Sequence, residues 1–237
     1  MARRGGRGGP SWPGPPPPRP ARASNTWRNG DRAAGGSWTR LPRLVAAGER
    51  AKARMFVKVC GLTTEEQIDW AVELGYSAIG VMATRKSKRY RTPEQARALA
   101  DYARGRITTF VVALEAAEVT EVADAFDVVQ LYRWTDLPNL AYCSAEPPEP
   151  GQTSEYFFYD ASAGSGIFEE FPDWVRTLPG KVVLAGGLDP DNVAATIARH
   201  RPYGVDVSSS LETAPGVKSL DLMRRFKAAT ERPEVLG

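Results

Sequence analysis

Two residues in this chain have the chemistry of a proton-transfer pair and occupy matching places in the pattern around them. Cys60 closes the apolar run Phe56-Val57-Lys58-Val59-Cys60 and is followed by Gly61-Leu62-Thr63. Asp160 closes Glu155-Tyr156-Phe157-Phe158-Tyr159-Asp160 and is followed by the small-residue loop Ala161-Ser162-Ala163-Gly164-Ser165-Gly166. A thiol and a carboxyl at the C-terminal ends of strands point into the space above a sheet or barrel, and small residues beside them let a ligand approach the backbone. A single cysteine in such a run is also what an inert core residue looks like. The second group, placed in the same way, favours acid–base chemistry.

Two further segments belong with this pair. Leu184-Ala185-Gly186-Gly187-Leu188 follows the run Lys181–Ala185, and Asp206-Val207-Ser208-Ser209-Ser210 ends the run 203–208. Small residues after two successive strands leave backbone N–H groups open to an anion, a pattern that suits phosphate. The one histidine, His200, lies between Arg199 and Arg201 with no metal-ligand spacing around it, so no metal is expected.

The elements that must position these residues alternate regularly. Strand-like runs cover 56–60, 77–82, 107–114, 126–131, 139–143, 155–160, 181–185 and 203–208, several of them continuously apolar, as parallel strands covered by helices are. Thr63-Thr64 before Glu65-Glu66 opens a helix that Gly75 closes. Thr92-Pro93-Glu94-Gln95 opens a second, and Asp189-Pro190-Asp191-Asn192 another. Eight strands with helices between them predict a compact α/β fold, a (β/α)8 TIM barrel, with an open doubly wound sheet as the alternative. In the barrel all strand ends share one mouth, so Cys60 and Asp160 converge there. The weakest repeat is the fourth helix with the fifth strand, because 146–153 is a Pro/Glu loop.

Composition divides the chain. Residues 1–54 hold 12 Lys/Arg, 2 Asp/Glu and 17 Gly or Pro, too little apolar surface to offset ordering entropy, and are expected to be a disordered extension. Three readings of it stay open: a basic arm for nucleic acid or anionic membrane, a transit peptide, and an extension from a start assigned ahead of Met55. The catalytic domain is expected at 55–237, with 19 basic and 26 acidic residues, so the overall +3 belongs to the tail. No apolar run of membrane-spanning length occurs. Two cysteines, Cys60 and Cys143, make no disulfide framework and fit a cytoplasmic protein.

The motifs Lys58–Thr63 (KVCGLT), 87–96 (SKRYRTPEQA), 127–131 (DVVQL), Tyr159-Asp160, 171–174 (FPDW), 182–193 (VVLAGGLDPDNV) and 201–218 (RPYGVDVSSSLETAPGVK) resemble, in order, those of the phosphoribosylanthranilate isomerase family of tryptophan biosynthesis. The resemblance implies a cofactor-independent Amadori rearrangement of N-(5-phosphoribosyl)anthranilate to 1-(2-carboxyphenylamino)-1-deoxyribulose 5-phosphate. It implies Asp160 as the acid, which must hold a proton near neutrality, and Cys60 as the base, whose thiolate must be accessible. Arg89 matches the arginine that meets the anthranilate carboxylate. Gly164, Gly166, Gly186, Gly187, Ser208 and Ser209 match the phosphate site. Asp206 is either a partner for substrate hydroxyls or a satisfied core carboxylate. The implied partner is a phosphorylated small molecule, with nucleic acid reached only through the tail, and the protein is a monomer or a homodimer.

The chain departs from the family at the mouth. Tyr132 stands where histidine is usual, the loop after Asp160 is shorter, and Ser210 replaces a glycine. Two alternatives therefore remain: a related barrel acting on another aminosugar phosphate, and a phosphosugar-binding barrel without turnover.

Overall fold

The computed structural model describes residues 55–160, 168 and 170–231; the segment 1–54 and the loop carrying Gly164 and Gly166 lie outside the described residues. Eight parallel strands close into a barrel in chain order, because β1 pairs with both β2 and β8. They are β1 (Phe56–Cys60), β2 (Ala78–Met82), β3 (Thr108–Ala113), β4 (Val128–Leu131), β5 (Leu140–Ser144), β6 (Tyr156–Asp160), β7 (Lys181–Ala185) and β8 (Gly204–Val207). The open-sheet alternative is thereby excluded, and the fifth strand is formed despite the weak signal around it.

Helix placement follows the cap signals. In α1 (Glu65–Glu73) the Thr64 side chain accepts from the Gln67 N–H; α2 (Pro93–Ala103) begins with a full capping box between Thr92 and Gln95. Before α3 (Val193–His200), Asp189 accepts from the N–H groups of Asp191 and Asn192, and α4 (Leu220–Thr230) is capped by Ser219. Among the described residues α-helices follow only β1, β2 and β7 and the hairpin after β8. Short 3₁₀ turns at Ala116–Glu118, Ala123–Ala125 and Asp173–Arg176 replace those after β3 and β6. The Pro/Glu segment has no repeating apolar face with which to build one. The hairpin is β9 (Glu212–Ala214) with β10 (Val217–Lys218), which pair antiparallel.

Strand alternation separates two cores. Val57, Val59, Ile79, Val81, Val111 and Val129 pack outward with Ile68, Leu99, Met223 and Phe226 of the helices. Phe56, Cys60, Phe110, Cys143, Tyr156, Phe158 and Val183 fill the interior. Aromatic rings close the lower end: Tyr156 stacks near Phe56 at 5.4 Å and Phe110 at 5.5 Å. With the bottom packed this way, the cavity lies at the opposite mouth, where strand ends and loops meet.

Candidate active site

Cys60 owes its setting to a charged residue on the same inward phase of β1. Lys58 is fully buried, and its Nζ lies 3.0 Å from Asp206 Oδ2 across the β1–β8 pairing. The ammonium also sits 5.4 Å and 5.2 Å from the ring centres of Phe110 and Phe158, whose faces attract it. Burial pulls Lys58 toward neutrality, yet Asp206 and the Cys60 sulfur outweigh it and hold the ammonium charged. Gly80 is the register partner of Cys60; a Cβ there would stand 2.8 Å from the Cys60 sulfur and 3.1 Å from Lys58 Nζ. Thiol and ammonium therefore converge over a position that only glycine leaves open. Burial pushes the Cys60 thiol up, and Lys58 offsets part of that rise.

Asp160 ends β6 with its carboxyl buried at the mouth. Tyr132, just beyond β4, donates its phenol O–H to Asp160 Oδ2 at 2.8 Å. Asp206 contributes one oxygen to Lys58, and its Oδ1 has no hydrogen-bond partner among the described residues. It is thus part of a core ion pair and also borders the cavity.

Arg89, in the loop between β2 and α2, is not an open fork. Its Nε and Nη2 each lie 2.7 Å from a carboxylate oxygen of Glu212, and Lys218 Nζ holds the same carboxylate at 2.7 Å. Lys218 also donates to the Ser208 carbonyl at 3.0 Å. Burial raises Glu212, but the Arg89 hydrogen bonds and the Lys218 charge bring its carboxyl below the usual range. Gly61 adopts φ +77°, and a Cβ there would meet Arg89 Cδ at 2.4 Å, so this glycine serves both the turn after β1 and the arginine's seat.

Gly186 and Gly187 after β7 take φ of +97° and +66°. Asn192 donates to the Gly187 carbonyl at 3.0 Å, and Ser210 donates to the Leu188 carbonyl, tying the loops after β7 and β8 together. Ser208 donates to the Cys60 carbonyl at 3.0 Å, linking the last strand to the first. Cys60, Arg89, Tyr132, Asp160, Gly186, Gly187, Asp206, Ser208 and Ser209 all line one cavity. No group of His, Cys, Asp and Glu suited to a metal ion occurs among the described residues.

The chain is similar to known proteins. A family model described as N-(5'phosphoribosyl)anthranilate (PRA) isomerase matches residues 156–229, from β6 to α4. The N-(5'-phosphoribosyl)anthranilate isomerase of Geobacter sp. (strain M21) is 36% identical over 205 residues, covering 74% of this chain and 98% of the relative. The chain belongs to the phosphoribosylanthranilate isomerase family. The crystal structure of TrpF from Jonesia denitrificans, 33% identical, superposes with a TM-score of 0.65 over 76% of this chain and 98% of the other. A phosphoribosylanthranilate isomerase in complex with reduced 1-(o-carboxyphenylamino)-1-deoxyribulose 5-phosphate is 29% identical with a TM-score of 0.57, covering 75% and 98%.

For a phosphoribosylanthranilate isomerase barrel, sequence reasoning missed Lys58, Gly80, Glu212 and Lys218. Lys58 had a legible signal: a charge on the inward phase of β1, between Phe56 and Cys60, needs a buried partner. The Glu212–Arg89 pair had none, because only the closed fold brings the β2 loop to the hairpin.

Proposed function

We propose that Cys60 and Asp160 are the base and the acid with which this chain carries out the Amadori rearrangement of its family. As a phosphoribosylanthranilate isomerase it converts N-(5'-phosphoribosyl)anthranilate to 1-(2-carboxyphenylamino)-1-deoxyribulose 5-phosphate. Asp160 gives a proton to the ribose ring oxygen as the C1–O bond breaks, and the anthranilate nitrogen supplies the electron pair that forms the iminium. Cys60 takes the C2 proton, its C–H electrons neutralising the iminium, and the resulting enaminol tautomerises to the aminoketose. Atoms balance and no electron acceptor is needed.

The observation that carries this assignment is the shared cavity. Cys60 and Asp160, from β1 and β6, border it together with the small residues after β7 and β8. In this reading Gly186, Gly187, Ser208 and Ser209 receive the phosphate, Arg89 meets the anthranilate carboxylate while Glu212 holds its side chain in place, and Asp206 Oδ1 faces a ribose hydroxyl. Gly164 and Gly166, outside the described residues, belong to the same phosphate site in this reading. The ion pair at Lys58 keeps a positive charge near the sulfur that must become a thiolate. No helix among the described residues is long and apolar enough to cross a membrane, and a cytoplasmic location with residues 55–237 as the catalytic domain completes the proposal.

The test is turnover of N-(5'-phosphoribosyl)anthranilate by the purified full-length protein, followed as loss of substrate fluorescence. Saturable turnover is expected. Binding of the phosphosugar without turnover would contradict the assignment and favour a binding protein.

A further inference from the structure

We propose that Tyr132 is the positioning residue of the acid: its phenol holds one carboxyl oxygen of Asp160 and tightens onto it as Asp160 gives up its proton. The inference rests on reading Asp160 as the acid and adds a residue that the family's pattern does not supply, since tyrosine stands here in place of the usual histidine.

The geometry is direct. Tyr132 follows the last residue of β4, and its O–H lies 2.8 Å from Asp160 Oδ2 on the wall of the same cavity. Burial holds the phenol well above its usual range, so it stays a donor throughout the working pH. Among the described residues the other titratable groups around the pair are Cys143 from β5, Cys60 and Lys58 from β1 and Asp206 from β8. Burial keeps the Cys143 thiol neutral, and Asp206 is occupied by Lys58. None of these can donate to Asp160 as the phenol does.

A hydrogen bond to an ionised acceptor is roughly twice as strong as one between neutral groups. While Asp160 holds its proton, the Tyr132 O–H meets a neutral carboxyl. As the proton passes to the ribose oxygen, the same O–H meets a carboxylate. The contact is therefore stronger in the transition state than in the ground state, which is the condition for raising kcat rather than lowering KM. A phenol does this without becoming charged itself, unlike an imidazole in the same place.

The experiment is steady-state kinetics of full-length wild type, Tyr132→Phe and Tyr132→His with N-(5'-phosphoribosyl)anthranilate across pH 5 to 9. Phenylalanine keeps the ring and removes the donor. We expect kcat to fall on the order of 10-fold to 100-fold, at or below the loss of a main oxyanion-hole donor, with KM within about twofold. Tyr132→His, which keeps a donor on a shorter arm, should retain more of kcat than Tyr132→Phe. Wild-type kcat in Tyr132→Phe, a KM that rises as far as kcat falls, or a histidine variant worse than phenylalanine would each overturn the proposal with the acid assignment intact. A wild type without turnover would overturn both.

Discussion

Lys58 Nζ and Asp206 Oδ2 lie 3.0 Å apart inside the barrel, joining its first strand to its last two residues before Cys60. Apolar residues of similar volume often serve as well as or better than a buried ion pair, so its burial alone does not explain it through stability. The convergence of the ammonium and the Cys60 sulfur over Gly80 gives it another role, that of the standing charge beside the proposed base.

Removing one partner of that pair should be costly and removing both much less so. Lys58→Met strands the Asp206 carboxylate in the core and should destabilise the fold by about 3–5 kcal/mol. The double variant Lys58→Met/Asp206→Leu should recover most of that stability without recovering turnover. Urea melts and initial rates on the same preparations check both halves.

The Arg89–Glu212–Lys218 cluster predicts an acid limit to stability. The Glu212 carboxyl is held below its ordinary range in the folded protein, so its contribution is present above the unfolded value of about 4.3 and is lost as pH falls through the lower folded value. The gap in Tm between wild type and Glu212→Gln should be constant near neutrality and shrink as pH falls below about 4. A gap independent of pH down to 3 would show that the pairing contributes nothing.

Anions should stabilise the chain through the loops after β7 and β8. Inorganic phosphate or ribulose 5-phosphate bound to the folded state alone raises stability by RT ln(1 + [L]/Kd), about 2.7 kcal/mol at a hundredfold excess over Kd. Gly187→Val, at a position with φ +66°, should reduce that shift in Tm and raise KM. An unshifted Tm at millimolar concentrations of both anions would count against a phosphate site there.

The barrel was legible in the sequence because strands and helix caps are local signals. The predicted runs at 56–60 and 181–185 coincide with β1 and β7, and the Thr92 capping box stands where the motif indicated. Cys60, Asp160, Gly186, Gly187 and Ser208 were legible as candidates because they sit at strand ends. What the sequence could not carry was pairing across the closed barrel. Lys58 with Asp206 and Arg89 with Glu212 are long-range contacts whose partners have no common local pattern. Tyr132 was visible as a departure, but its bond to Asp160 depends on how far the end of β4 stands from that of β6. The 3₁₀ turns at Ala116–Glu118 and Ala123–Ala125 were not legible, since Val119, Val122, Ala123 and Phe126 recur there at helical spacing.

Removal of the C2 proton by the sulfur of Cys60 is read from kcat/KM of Cys60→Ala. A loss on the order of 10²-fold or more is expected, with an unchanged circular dichroism spectrum and undiminished Tm elevation by phosphate. Cys60→Ser should not restore the rate, because an alkanol is far less acidic than a thiol and seldom ionises. Wild-type kcat/KM in Cys60→Ala would leave the barrel and the family standing and contradict the mechanism.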